Sequence, residues 1–429
     1  MKTFSLRILL CMAFLGMLYL QHFAQTTTDP AVVNWQRNLT GHTYNGDSTD
    51  VISVWYNTNY VYIVTNKVPS YYDSLTWASS SAFAVLADRT IFRLDITPDS
   101  AVTNEEVAGF VGIWNNGTII ASPGDGQYYD PNSQGLTEWA RIAWYFEGLI
   151  FSGGTPSPWG DLDETYGHST PQGVYHYHVY NNRMVADIAD SSSHSGIIGY
   201  AFDGYPVYGP YGFSDPNDPN SAPTRMTSSY QIRNMSNRNT LPDSSTSVNP
   251  PPINSSYPLG CFIEDYEFVA GSGDLDEHNG RICVTPDYPN GTYAYFITLD
   301  DTLGPYYPYM VGPTYYGDKY WNGPQPSTSS IPNNAVEYTG TMIGIWDYLE
   351  AQELAVFPNP SSGMAMLRMP GVGEKEIRLF DMQGRMVFKQ GLQGEDMQLD
   401  LTQLPAGMYI FEGYAPATGQ TSRTTWTKR

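Results

Sequence analysis

Gly173-Val174-Tyr175-His176-Tyr177-His178-Val179-Tyr180 alternates as a β-strand does. Side chains two apart along a strand share a face, so His176 and His178 point one way and Tyr175 and Tyr177 the other. A second stretch, Gly291-Thr292-Tyr293-Ala294-Tyr295-Phe296-Ile297, keeps the glycine and both tyrosines but carries Ala294 and Phe296 in the histidine places. Each stretch follows the same five residues, Gly160-Asp161-Leu162-Asp163-Glu164 and Gly273-Asp274-Leu275-Asp276-Glu277. The pattern predicts an internal repeat. Its tyrosines serve the fold in both copies, and its histidines serve a site kept in one.

Short alternating runs recur at Asn59 to Val64 and Thr90 to Ile96, broken throughout by turn residues drawn from 40 Gly and 31 Pro. That is the signature of a mainly β, irregular and loop-rich domain. Thr137 to Ile150 reads as one short helix, and the Pro-, Ser- and Asn-rich residues 214–257 read as an irregular excursion.

The chain opens with Lys2 and Arg7 ahead of a 13-residue apolar run, Ile8 to Leu20, and the small residue Ala24 follows. This reads as a cleavable signal peptide over residues 1–24. Thirteen residues fall short of the roughly 20 that span a bilayer, and no later stretch is apolar enough, so no transmembrane segment is expected in the mature chain. Of the three cysteines, Cys11 leaves with the leader; Cys261 and Cys283 are expected to pair outside the cytoplasm and to close a loop worth roughly 3 kcal/mol. Formal charge is −22, concentrated between a basic leader and a nearly neutral tail. Such acidity excludes nucleic acid or an anionic membrane surface as the partner.

Composition shifts again near residue 349. Val356-Phe357-Pro358-Asn359-Pro360-Ser361-Ser362-Gly363, then Leu379-Phe380-Asp381-Met382-Gln383-Gly384-Arg385, then Leu404-Pro405-Ala406-Gly407-Met408-Tyr409 punctuate five strand-like runs. The runs predict a small Ig-like β-sandwich over 349–429, behind a β-domain at 25–348. These three motifs resemble the C-terminal sorting domain of type IX secretion cargo. The resemblance implies handling by the type IX machinery and its sorting peptidase. It also implies a secreted or outer-membrane surface location, with release or attachment to cell-surface polysaccharide.

Four of the six mature histidines, His168, His176, His178 and His194, fall within 27 residues. His176 and His178, side by side on a strand, suit a first-row metal such as Zn or Cu. His168 offers a third ligand, and His194 a fourth ligand or a general acid/base. Crowded carboxylates at Asp161, Asp163 and Glu164, and at Asp274, Asp276 and Glu277, suit Ca²⁺ or support a ligating imidazole from behind. A metal-free ligand-binding pair and a purely structural pair stand beside the metal reading, and exposed acidic turns beside the Ca²⁺ one. His42 lies far upstream, and His278 joins a site only if the two copies pack together.

The Tyr-His-Tyr-His strand, the Asp-Leu-Asp-Glu turns and the run from His194 through Phe202-Asp203-Gly204-Tyr205 to Gly212 resemble the YHYH-domain family of secreted proteins over about residues 50–320. Gly112-Ile113-Trp114-Asn115-Asn116-Gly117 and Trp144-Tyr145-Phe146 extend the likeness. By position, His168, His176, His178, His194 and Asp203 carry over, but the family motif brings no reaction with it. Where members show a second His-bearing strand, this chain has Tyr293-Ala294-Tyr295-Phe296. Three function classes remain: a metal centre, used for binding or for hydrolysis with Asp203, His194 or Glu164 as base; a metal-free module that holds glycan or peptide on its tyrosines; and a structural role in the surface layer or in adhesion. No Gly-x-Ser-x-Gly elbow, His-Glu-x-x-His pair or phosphate loop points elsewhere.

Overall fold

The computed structural model describes residues 29–38, 41–70, 85–100, 109–138, 144–147, 163, 166–180, 191–319, 321, 325–339, 354–357, 363–369, 375–382, 384–392, 396–415 and 420–428. The leader lies outside them. The chain is mainly β, as its alternation predicts; among the described residues the α-helix is a single turn, Pro30–Val33, capped by the Asp29 carboxylate on the Ala31 amide. No helix among them is long and apolar enough to cross a membrane. Two compact units divide at Met342 and Ile343.

In the first unit, β1 (Val51–Tyr56), β2 (Tyr60–Thr65) and β3 (Thr90–Asp95) form an antiparallel meander. An eight-stranded sheet follows. It is built from β4 (Phe110–Trp114), β5 (Ile119–Ala121), β6 (Gly167–Ser169), β7 (Tyr175–Tyr177), β8 (Ile197–Ala201), β9 (Pro206–Tyr208), β10 (Gly280–Cys283) and β11 (Thr292–Phe296). Two short strands late in this unit, β12 (Ser327–Thr328) and β13 (Val336–Glu337), return to the meander and give the order β12-β3-β2-β1-β13.

The eight-stranded sheet runs β6-β7-β5-β4-β8-β9-β11-β10, so one half reads outward as the other does. At the seam β4 and β8 are antiparallel, with Ile113 opposite Tyr200, Gly112 opposite Ala201 and Trp114 opposite Gly199. Both strands slip register next to their glycine, between Phe110 and Gly112 and between Ile197 and Gly199. A Cβ on Gly112 would lie 2.6 Å from the Tyr200 carbonyl oxygen, and one on Gly199 2.6 Å from that of Ile113. Only glycine lets the seam close. Gly199→Ala is therefore expected to cost about 1–3 kcal/mol by overpacking; urea denaturation checks this, and an unchanged midpoint would contradict it.

The internal repeat is thus larger than its two sequence echoes. It takes in the β4–β5 and β8–β9 hairpins, which differ in nearly every buried side chain. Phe92 of β3 stacks on Phe202 at 5.6 Å, tying the meander to the larger sheet, and Trp35, just after the helical turn, packs tilted against Tyr200 at 5.3 Å.

Two sequence expectations are corrected. The predicted helix at Thr137 to Ile150 is strand at both described ends: Gly135–Glu138 and Tyr145–Glu147 each pair with Gly124–Asp130. Stacking of Tyr145 on Tyr128 (4.4 Å, 7°) and burial of Trp144 and Phe146 override the local pattern. Cys261 and Cys283 are free, not paired. Cys261 sits in an aromatic cluster with Trp144, Phe146 and Phe262, where burial pushes its thiol up to about 12, whereas Cys283 faces Thr292 at the end of β10. Reducing agent is expected to leave thermal stability unchanged, and the denatured mature chain should release two titratable thiols; none would reinstate the bridge.

The second unit holds β14 (Ala355–Phe357), β15 (Met364–Arg368), β16 (Lys375–Asp381), β17 (Met386–Leu392), β18 (Asp396–Asp400), β19 (Gly407–Ala415) and β20 (Gln420–Lys428). They form sheets ordered β14-β15-β18 and β17-β16-β19-β20. Leu367, Ile377, Leu379, Phe411 and Trp426 share their core, as expected of the small sandwich.

Candidate metal centre

Asp163 starts the site. Its backbone N–H donates to the Gly167 carbonyl at 2.9 Å, its Oδ1 accepts the Gly167 amide at 3.1 Å, and its Oδ2 accepts the Tyr175 hydroxyl. This knot fixes the turn into β6 and staples it to β7. The hairpin then sets His168 directly opposite His176, while strand alternation brings His178 to the same face.

The three imidazoles converge. Nε2 of His168 lies 3.0 Å from that of His176 and 3.1 Å from that of His178, and the last two are 3.1 Å apart. Two rings are oriented from behind: Nδ1 of His176 reaches the Val174 carbonyl at 3.1 Å and Nδ1 of His178 the Ser122 carbonyl at 3.0 Å. A carbonyl only accepts, so both Nδ1 atoms carry the proton and both Nε2 lone pairs face the centre. All three rings are 5–7% exposed. Burial, with mutual repulsion, holds His168 well below its usual pKa and lowers His176 to about 3; burial lowers His178 to about 4. Neutral imidazole is the form that binds metal. The Phe110 ring closes one side, 5.5 Å from His176.

The other sequence-predicted residues lie elsewhere. His194 is corrected out of the ligand set: its Nδ1 donates to the Ser195 carbonyl at 2.7 Å, and its ring packs on Phe213 and Tyr208 at 4.8 and 5.1 Å in the other half of the sheet. The seam separates it from the cluster, although only sixteen positions part it from His178. Asp203 is fully buried in the β8–β9 turn, where it accepts the Tyr295 hydroxyl at 2.6 Å and the Gly317 amide at 2.8 Å; burial raises it to about 6.

Asp274 accepts the Thr227 hydroxyl at 2.6 Å, and Asp276 the His278 and Gly280 amides and the Tyr293 hydroxyl. Glu277 is exposed. Asp274 and Asp276 are taken up by these bonds, and the second copy brings no three metal-ligating groups together among the described residues. Asp161 and Glu164 lie outside those residues. His278 bonds the Thr314 hydroxyl at 2.7 Å, and His42 that of Thr49 at 3.1 Å. What the sequence left unassigned is Arg281, which stands opposite Ala294 as His168 stands opposite His176.

Residues 92–310 match the model of the family described as YHYH protein, and residues 355–424 that of the secretion system C-terminal sorting domain. No curated protein matches the chain. One solved structure similar to it is PorZ, titled an essential bacterial surface component of the type-IX secretion system of human oral-microbiomic Porphyromonas gingivalis. It shares 11% identity over 91% of this chain and 53% of its own, with a TM-score of 0.17. The chain thus spans about half the length of that protein, and so low a score carries no argument.

Proposed function

We propose, from the premise that this chain belongs to the YHYH protein family, that His168, His176 and His178 together bind one divalent transition-metal ion. The sorting domain makes the chain a secreted or outer-membrane cell-surface protein associated with type IX secretion. On our reading the sorting peptidase removes that domain, and the metal-binding unit is released or attached to surface polysaccharide.

The observation that carries the proposal is the closed triangle of three Nε2 atoms at 3.0–3.1 Å, two of them fixed as acceptors by their Nδ1 bonds. A single N–H on His168 can bridge to one or both neighbours, but it leaves lone pairs crowded together in a buried place. An ion about 2.0–2.1 Å from each nitrogen takes all three lone pairs at once. Three imidazoles suit Zn, Cu, Fe or Ni, and not Ca. Such a set keeps a fourth position open, where a bound water would have a pKa near 7. The hydrolase reading also needs a base; neither Asp203 nor His194 joins the cluster, and Glu164 lies outside the described residues. The proposal therefore stops at binding.

The test is elemental analysis of the full chain purified without added metal, alongside His176→Ala/His178→Ala. About one transition-metal ion per chain, lost in the double variant, is expected. A wild-type protein that carries none and cannot be loaded with Zn, Cu, Ni or Fe ends the proposal.

A further inference from the structure

We infer that the β8, β9, β10 and β11 half of the large sheet is a vacated copy of this metal centre. Arg281, Ala294 and Phe296 stand at its three ligand positions, and imidazoles returned to them will hold a second ion. The inference rests on the metal reading of the first half.

The two frames agree bond by bond. In each, the aspartate backbone N–H donates to the glycine carbonyl at 2.9 Å, and the glycine amide returns to aspartate Oδ1 at 3.1 Å; the pairs are Asp163–Gly167 and Asp276–Gly280. The residue before that glycine is left-handed in both, Tyr166 at φ 60° and Asn279 at φ 67°. Each glycine faces a tyrosine hydroxyl 2.4 Å from where its Cβ would sit, Tyr175 in one half and Tyr293 in the other. Tyr175 and Tyr177 have ring centroids 5.1 Å apart at 81°, and Tyr293 and Tyr295 5.1 Å apart at 82°. Both tyrosine strands pair in parallel with the second strand of their hairpin, Tyr177 beside Ile120 and Tyr295 beside Val207.

That register fixes the equivalences. His168 corresponds to Arg281, His176 to Ala294 and His178 to Phe296. Ser122, whose carbonyl orients His178, corresponds to Gly209, and so a backbone carbonyl stands ready for an imidazole at position 296. Features shared by both halves, the aspartate knot and the tyrosine pair, belong to the frame. The histidines are the chemical difference that separates a site from its copy.

The vacated place has been refilled with groups that refuse a cation. The Arg281 guanidinium lies over the Phe296 ring at 5.5 Å and donates to the Phe213 carbonyl. A positive charge at one ligand position repels a metal ion, and phenyl and methyl groups offer it nothing. His194 packs beside Phe296 at 6.0 Å with its Nε2 buried and unpartnered, so one imidazole nitrogen already waits there.

The experiment is Arg281→His/Ala294→His/Phe296→His in the full chain, with metal content measured after equilibrium dialysis against Zn²⁺. Two ions per chain are expected where the wild type holds one. Adding His176→Ala/His178→Ala should leave one, held in the second half. A wild type with one ion and a folded triple variant with one ion overturn the inference and leave the proposed function standing. A wild type that holds none and cannot be loaded ends the proposed function and the inference with it. Should the triple variant fail to fold, the reciprocal His168→Arg/His176→Ala/His178→Phe decides: equivalent frames require it to fold and to lose its ion, and collapse of that variant too overturns the inference.

Discussion

In the presence of a chelator, the protein is expected to lose stability as pH falls from about 6.5 towards 4. Burial lowers His176 to about 3 and His178 to about 4 in the folded chain, from 6.5 when unfolded. Below 6.5 the unfolded chain takes up protons that the folded triad refuses. Stability is therefore complete above 6.5 and falls until the pH reaches the folded values. One pKa unit is about 1.4 kcal/mol, so each imidazole contributes a loss on the order of 2 kcal/mol by pH 5. Urea denaturation at pH 7, 6 and 5 in chelator measures it. The variant His176→Ala/His178→Ala should show a clearly shallower fall; parallel curves for the two proteins would refute the account. Bound metal should offset part of the loss near neutrality, where protons compete weakly for the nitrogens.

Asp265→Ala should be among the most damaging single substitutions in the first unit. Arg238 and Asp265 are a fully buried pair, bonded from Nε to Oδ1 at 2.7 Å and from Nη2 to Oδ2 at 2.8 Å. The guanidinium also donates to the carbonyls of Pro252, Tyr257 and Pro258, and lies 4.9 Å from the Phe262 ring centre. Asp265 in turn accepts the Gly260 and Phe262 amides. Removing the carboxylate leaves a buried charge without its counter-ion and two amides without an acceptor, at a cost of about 3–5 kcal/mol. Arg238→Met/Asp265→Ala should recover part of that loss, because an apolar side chain needs no partner. A loss below about 1 kcal/mol for Asp265→Ala, read from chemical denaturation, would show the pair to be dispensable.

That ion pair marks where sequence reading stops. Residues 214–257 look irregular, yet Pro223–Arg225 and Tyr230–Ile232 are short paired strands, and the stretch round Pro251 to Pro258 takes its order from carbonyls gathered round the Arg238 guanidinium, which leave no trace in composition. His176 and His178 were legible because alternation alone fixes their shared face. His168 was legible only as a neighbour, since a three-residue strand carries too little periodicity to show its direction. His194 misled because nearness along the chain says nothing about the seam that intervenes. The repeat could be read where the frame needs particular side chains, the aspartate and the tyrosines. It disappears in the central hairpins, where glycine spacing is what persists. Two cysteines in an exported chain invite pairing, but each was already committed to a different piece of core.

The meander takes its middle from residues 51–95 and both its outer strands from residues 327–337. The whole eight-stranded sheet is synthesised in between. A nascent chain therefore carries two bare β-edges for most of its time on the ribosome, and unpaired edges template self-association. Pairing over so long a separation is also slow. Fragments that end before Ser327 should aggregate where the complete chain does not, a difference that light scattering would read.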